Sequence, residues 1–335
     1  MGQLTGVKVI EAVGGFVIWK GLVGWHPPYL TGRKRRITLP PMTHDDVLAA
    51  LPPETRAALH APSDTAGLTH LAGHLGLLAA TRTWIATASP LWWAVLPLHG
   101  VVLVFLFTLE HECTHRTPFA TPRLNEVVGH AAGVLLILPF QWFRYFHLAH
   151  HRHTNDPEND PELLGGGKPE TWRAYALHVS GLPVWIANLR VLAGNTTGAA
   201  PAGYVPARAL PRIRREARLM VAGYLCALLI APGPAFWLWL LPMVLGQPAL
   251  RLYLLAEHSR CPHVANMLEN TRTTFTTRTV RFLAWNMPYH IEHHSAPNVP
   301  FHRLPDLHEE MKAHLVTTAA GYVAFTRDYV SSLEG

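Results

Sequence analysis

Charge is scarce in this chain, and so is cysteine. Lys, Arg, Asp and Glu together make up 15% of the 335 residues, against 49% apolar ones, and the mean hydropathy is slightly positive. These values exclude a porin-like barrel and a bundle lying wholly in lipid. They fit a membrane protein with a substantial polar part, and the eleven Trp suit a membrane interface, where indole rings gather. Three cysteines, Cys113, Cys226 and Cys261, are too few and too dispersed for a disulfide framework or a zinc ribbon. Met1–Trp25 carries Lys8, Glu11 and Lys20 and lacks the clean apolar core of a cleavable signal peptide. Gly6 stands where a myristoylation motif wants Ser or Thr. The formal charge of +6 comes with no nucleic-acid recognition motif, so a basic face against anionic lipid is the better reading. There is no internal repeat and no long low-complexity run.

What the chain does have is long apolar runs. Residues 27–63, with Pro27-Pro28, Pro40-Pro41 and Pro52-Pro53, read as a polar, loop-rich lead-in, and residues 1–63 as a cytosolic N-terminal segment. Leu68–Ala88 is a moderately apolar helix. Leu91–Leu109 has no formal charge and is long enough to cross a bilayer core. Leu219–Leu250 likewise lacks Asp, Glu, Lys and Arg. As one helix it would run about 48 Å, more than a bilayer core needs, and Pro232-Gly233-Pro234 breaks it into a helical hairpin whose second arm continues towards His258. Val127–Phe143 is uncharged but shorter and contains Pro139.

The 22 histidines are the second abundance, and eight of them fall in three short clusters: His111-Glu-Cys-Thr-His115, His147-Leu-Ala-His150-His151 and His290-Ile-Glu-His293-His294. On a helix, residues three or four apart share one face with Cβ atoms about 5–6 Å apart. One such pair is commonly chance, but three clusters separated by apolar segments point to a shared site for more than one metal ion. Imidazole binds iron, zinc, copper and nickel alike, so ligand type alone does not name the metal. His258, at the end of the second long apolar run as His111 is at the end of the first, joins as a ninth candidate ligand. His153 points to another helix face. His70, His74, His99, His130, His178 and His263 read as packing or interface residues. Of the acids, Asp156 and Asp160 are candidates to hold an imidazole from behind. Glu112 and Glu292 lie off the histidine face, towards solvent or the backs of the rings.

If the clusters share a site they lie on one side of the membrane. A hairpin before the first cluster and another before the third satisfy this, and Val127–Phe143 must then lie in the interface or dip in and return. Arg33, Lys34, Arg35 and Arg36, with Arg208, Arg212, Arg214, Arg215 and Arg218, put that side in the cytoplasm by the positive-inside rule. The expectation is an all-α membrane protein: residues 64–310 form about four transmembrane helices in two hairpins with a cytosolic cap, and 311–335 a C-terminal cytosolic helix or tail.

The three boxes, in this order and divided by hydrophobic hairpins, resemble the membrane fatty acid desaturase superfamily, which also contains hydroxylases and carotenoid ketolases. His147-Leu-Ala-His-His-Arg-His-Thr-Asn-Asp-Pro-Glu and Asn286-Met-Pro-Tyr-His-Ile-Glu-His-His carry the resemblance, which covers roughly Leu91 to Leu307. It departs from animal acyl-CoA desaturases in the first-box spacing and in having Leu254 where those have Asn, and from front-end desaturases in opening the third box with His. The resemblance implies a helical cap holding two iron ions (Fe2+), with O2 as co-substrate and a lipid or acyl substrate. It implies that His111, His115, His147, His150, His151, His290, His293 and His294 are ligands, joined by His258. A fused His-Pro-Gly-Gly haem motif and a ferredoxin cysteine set are both missing, so a separate ferredoxin- or cytochrome-type donor and its reductase would supply electrons. The expected reaction is oxidation of an unactivated C–H bond, desaturation first, with hydroxylation or ketone formation as alternatives.

His111-Glu112-Cys-Thr-His115 also matches His-Glu-x-x-His, the zinc protease pattern with Glu as general base. An intramembrane metalloprotease is therefore the competing reading, though it leaves two boxes without a role. A non-catalytic metal or haem carrier would also use histidines, but it needs no cap over apolar helices.

Overall fold

The structure, a computed structural model, describes residues 42–199 and 201–334, and before them only the backbone pairing of Ala12–Val13 with Phe16–Val17. The basic run Arg33–Arg36, the rest of the Met1–Trp25 segment and residues 27–41 of the lead-in lie outside the described residues. Where the lead-in is described it is not loop. Thr43 caps a helix at His44–Ala49 with a reciprocal capping box. Pro53 opens another at Pro53–Leu59, because proline's fixed φ and missing N–H suit a first helical turn.

Helices make up most of the chain, in the order α1 (Asp64–Ala86), α2 (Trp92–Val104), α3 (Leu106–His115), α4 (Pro122–Leu136), α5 (Phe140–Arg152), α6 (Trp172–Val179), α7 (Leu182–Thr197), α8 (Leu210–Ile230), α9 (Leu241–His258), α10 (His290–Ser295), α11 (Leu304–Met311) and α12 (Tyr322–Val330). Described strands are two-residue pairs. The C-terminal segment is a packed helix and not a tail: α12 lies on α9 with Phe325 and Tyr329 buried.

Two helices among the described residues are long and apolar enough to cross a membrane: Trp92–His115, with mean hydropathy 2.0, and Pro232–His258, with 1.4. The count reaches four if α4 with α5 and α6 with α7, bent by 99° and 57°, each count as one span. The two long helices pack on each other where two glycines meet. A Cβ on Gly100 would fall 2.0 Å from the Pro242 carbonyl oxygen, and one on Gly246 2.3 Å from the Gly100 backbone. Without side chains at that crossing the backbones close up, the usual basis of helix association in lipid.

α1 runs alongside α2 and is tied to it by His74 Nε2 on the Val102 carbonyl (2.8 Å) and by His99 Nδ1 with Thr81 Oγ1 (2.7 Å). The chain does break at Ala231 before Pro232, yet α8 finds its main partners in α7 and α5. Its apolar second half, about three turns long, also meets the start of the second arm, where the Tyr224 and Trp239 rings lie 5.4 Å apart. Sequence periodicity shows that a helix has an apolar face and not which helix covers it.

α4 stops inside the protein, where Ile137 adopts a left-handed conformation and Pro139 precedes α5. Its last carbonyls are met by side chains from α8 and from the turn before α9. Tyr224 Oη donates to Val134 and Trp239 Nε1 to Leu135, both at 2.7 Å. A helix that ends away from water needs such partners.

Candidate metal centre

Four helices bring nine imidazoles to one place. His111 and His115 occupy successive turns at the end of α3, which terminates at Arg116 in the left-handed region (φ 62°). His147, His150 and His151 sit on the last turns of α5, His258 closes α9, and His290, His293 and His294 fill the one-and-a-half turns of α10. His111, His115, His147, His151 and His293 each offer a nitrogen within 4.8 Å of the others, and His150, His258 and His294 form a second such group. His290 joins the second, its Nε2 lying 3.0 Å from His258 Nε2. The groups adjoin: the His151 and His294 rings stack 4.0 Å apart, 5° from parallel.

The donor set fits metal ions. His115 and His147 bring Nε2 atoms to 2.8 Å and His151 and His293 to 3.2 Å. Ligands bound at about 2.1 Å and roughly at right angles would stand about 3 Å apart. His294, whose Nδ1 meets Thr154, keeps its Nε2 buried without a hydrogen-bond partner, a cost of about 1–3 kcal/mol unless a ligand meets it. Ligation needs the neutral ring, and burial favours it. His290 is pushed down to about 3, mainly by loss of solvent and then by nearby His150. His293 and His294 are held well below the usual histidine range for the same leading reason.

Outer partners fix several rings. Asp160 faces His150 Nδ1 at 2.9 and 3.0 Å from its two oxygens and also accepts from the Asn155 N–H. Asp156, the other candidate, serves only its local turn, accepting from the Glu158 N–H and the Asn159 amide. Thr154 Oγ1 meets His294 Nδ1 at 3.1 Å, and the Asn270 carbonyl lies 3.4 Å from His258 Nδ1. Glu112 Oε1 is 3.4 Å from His293 Nδ1, and Glu257 Oε1 3.6 Å from His290 Nδ1.

Neither Glu112 nor Glu292 reaches solvent; both are fully buried. Glu112 Oε2 accepts from Thr117 Oγ1 (2.7 Å) and the Phe301 N–H (3.2 Å). Glu292 bonds Thr273 and His308, which pins α10 to the two-residue strand Thr273–Thr274 and to α11. Thr154, Glu257 and Asn270 carry no sequence signal of this role beyond Glu257 preceding His258. His70 and His74, spaced like ligands, serve packing instead: His70 Nε2 bonds the Phe282 carbonyl at 2.8 Å and its ring stacks on Phe282.

A cavity of about 320 Å³ opens against the centre, with His111, His147, His150 and His290 on its wall beside Phe107, Leu136, Leu138, Trp142, Phe143 and Phe146. Aromatic and aliphatic walls exclude water and suit an extended apolar chain.

A fatty acid desaturase family model matches residues 90–326. The chain is 31% identical over 125 residues to the sn-1 oleoyl-lipid 12-desaturase of Picosynechococcus sp., covering 34% of this chain and 36% of that one. It is 30% identical over 168 residues to the enzyme of the same name from Anabaena variabilis, covering 47% and 46%. It is 31% identical over 130 residues to the chloroplastic sn-2 acyl-lipid omega-3 desaturase (ferredoxin) of Helianthus annuus, covering 36% and 27%. These matches span about a quarter to a half of the relatives' length, whereas the family match takes in all three histidine boxes, His258 and the cavity wall. The chain belongs to the fatty acid desaturase family.

Proposed function

We propose that this chain is an integral membrane desaturase that removes two hydrogens from an acyl chain at two irons held by His111, His115, His147, His150, His151, His258, His290, His293 and His294. The observation that carries the reading is the gathering of nine imidazoles into two adjoining groups on the wall of an apolar cavity. Two iron ions there would supply the redox chemistry for an unactivated C–H bond, which redox-inert zinc lacks. The balance is simple: the acyl chain loses two hydrogens, and O2 with two electrons and two protons gives two waters.

The protein's part is to hold and orient. Helices α3, α5, α9 and α10 fix the ring positions, while Asp160, Thr154 and the Asn270 carbonyl fix ring tautomers. Phe107, Phe143 and Phe146 keep the cavity dry and place the apolar chain beside His111 and His147. Electrons come from a separate ferredoxin- or cytochrome-type protein with its reductase, a reading supported by the ferredoxin in the Helianthus relative's name. The boxes and both termini face the cytoplasm, with four spans in all. Labelling of Asn159→Cys from the cytoplasmic side only is the expected result, and labelling from outside would overturn that orientation. Glu112 Oε2 is held by Thr117 and the Phe301 N–H and its Oε1 lies 3.4 Å from His293 Nδ1, the nitrogen turned away from the neighbouring imidazoles, which argues against a general base of a zinc protease.

Expression in a host of defined lipids, with a donor system supplied, should yield acyl chains two hydrogens lighter by mass spectrometry, and purified protein should carry two irons per chain. Products one oxygen heavier would replace desaturation by hydroxylation. Zinc alone with oxygen-independent proteolysis would overturn the whole reading.

A further inference from the structure

One end of the cavity is polar, and nothing in the metal centre explains it. Gln247 and Arg251, four residues apart on one face of α9, line the wall with His178 of α6. Gln247 Oε1, Arg251 Nε and His178 Nε2 are all buried without a hydrogen-bond partner. The three are neighbours: α6 packs on α9, and His178 lies against the Arg251 backbone. Of the acids on the same wall, Glu162 bonds Lys168 Nζ at 3.1 Å and Glu257 lies 3.6 Å from His290 Nδ1; both are charge neighbours of Arg251 but neither bonds its Nε. Three unmet polar atoms buried on the cavity wall are costly unless a ligand meets them. Leu136, Leu138 and Phe143, also on the wall, belong to a separate packed apolar cluster.

We infer that Arg251, Gln247 and His178 form a subsite for the carbonyl oxygen of the acyl group, as a free carboxylate or as an ester. The inference rests on the desaturase reading and deepens it. The arginine N–H donates, and the Gln247 amide, free to turn either way, presents its N–H2 to the same oxygen. The hydrocarbon then runs past His290, His150, His147 and His111 towards Phe107 and Phe143. Arg251 lies seven residues before His258 on α9, so head group and metal centre are separated by roughly 10 Å along the helix. A fixed head group fixes the carbon presented to the metals. The enzyme therefore counts from the carbonyl end of its substrate.

Two measurements test this separately. In the first, the protein in nanodiscs is titrated with radiolabelled hexadecanoic acid, its methyl ester and hexadecane, with empty nanodiscs as blank. The acid or the ester should bind at least tenfold more tightly than the alkane. A lead of the acid over the ester assigns a carboxylate as the head group, and parity assigns an ester carbonyl. Arg251→Gln should remove the advantage and Arg251→Lys should keep part of it, with hexadecane binding unchanged in both. Equal binding of all three ligands to the unaltered protein overturns the subsite, whether or not a variant folds. In the second, saturated chains of sixteen, seventeen and eighteen carbons are fed to the expression host. The new double bond should keep its distance from the carbonyl, and a constant distance from the methyl end overturns the inference. No oxidation of any chain would count against the desaturase reading, and the binding series would still decide the subsite.

Discussion

His150, His258 and His294 each have a hydrogen-bonding group behind the ring, in Asp160, the Asn270 carbonyl and Thr154. His111 and His151, in the other group, have Nδ1 atoms buried with no partner at all, and they stand among other imidazoles, with Phe107 near His111 and Phe143 against His147. Only His293 in that group has a carboxylate behind it, Glu112 at 3.4 Å. One group is aimed by hydrogen bonds and the other by helix packing, since α3 and α5 pack on each other and on α4. The difference decides which substitutions matter. Removing a ligand should be ruinous in either group, while removing an outer partner should matter far more where hydrogen bonds do the aiming.

The largest expected effect is therefore the same on both sides. His147→Ala in the packed group and His294→Ala in the hydrogen-bonded group should each lower bound iron and reduce product below detection, with normal membrane insertion. Iron per chain and lipid mass spectra read both. His153→Ala, on the helix cap beside the cluster, should change product less than twofold. Full activity in either ligand variant would remove that residue from the centre.

The comparison itself is tested by Asp160→Asn. Asn keeps the shape and can still cap the short helix at Pro161–Leu164, so thermal stability should hold. It removes the charge that fixes the His150 tautomer, and loss of such a partner costs about 10–100-fold in metal affinity or activity. Iron titration should show one site weakened by that factor while the other is unchanged. Equal weakening of both would mean that the two groups are not independently aimed.

Much of this centre was legible in the sequence because a three- or four-residue spacing places rings on one helix face whatever the tertiary fold. The same spacing in His70 and His74 marks packing, so spacing alone did not make a site. It took three clusters at the ends of apolar runs. The outer partners were much less legible. Asp160 reaches back to His150 only because Asn155, at φ 59°, reverses the chain. Glu257 and Asn270 come from segments whose approach no local pattern encodes. The packing of α8 on α7 was illegible for the same reason. The break in Val127–Phe143 was readable from Pro139, but not the side chains that satisfy its carbonyls.

The smallest effect expected among the outer partners is at Glu112, where the two groups and the two enzyme classes separate together. Glu112 is tied by its other oxygen to Thr117 and to the Phe301 N–H, and it stands 3.4 Å behind a ring that α10 already holds in place. Glu112→Gln keeps one oxygen to accept a hydrogen bond and removes the charge. Packing still aims the five imidazoles, so iron should be retained and oxygen-dependent lipid oxidation should fall by less than tenfold. A general base would behave otherwise, since the same change would remove the group that takes the proton from a metal-bound water. A loss as deep as that of His147→Ala with iron still bound would give Glu112 a direct part in the chemistry. A loss matching Asp160→Asn, with weakened iron, would show that the packed group also depends on its carboxylate.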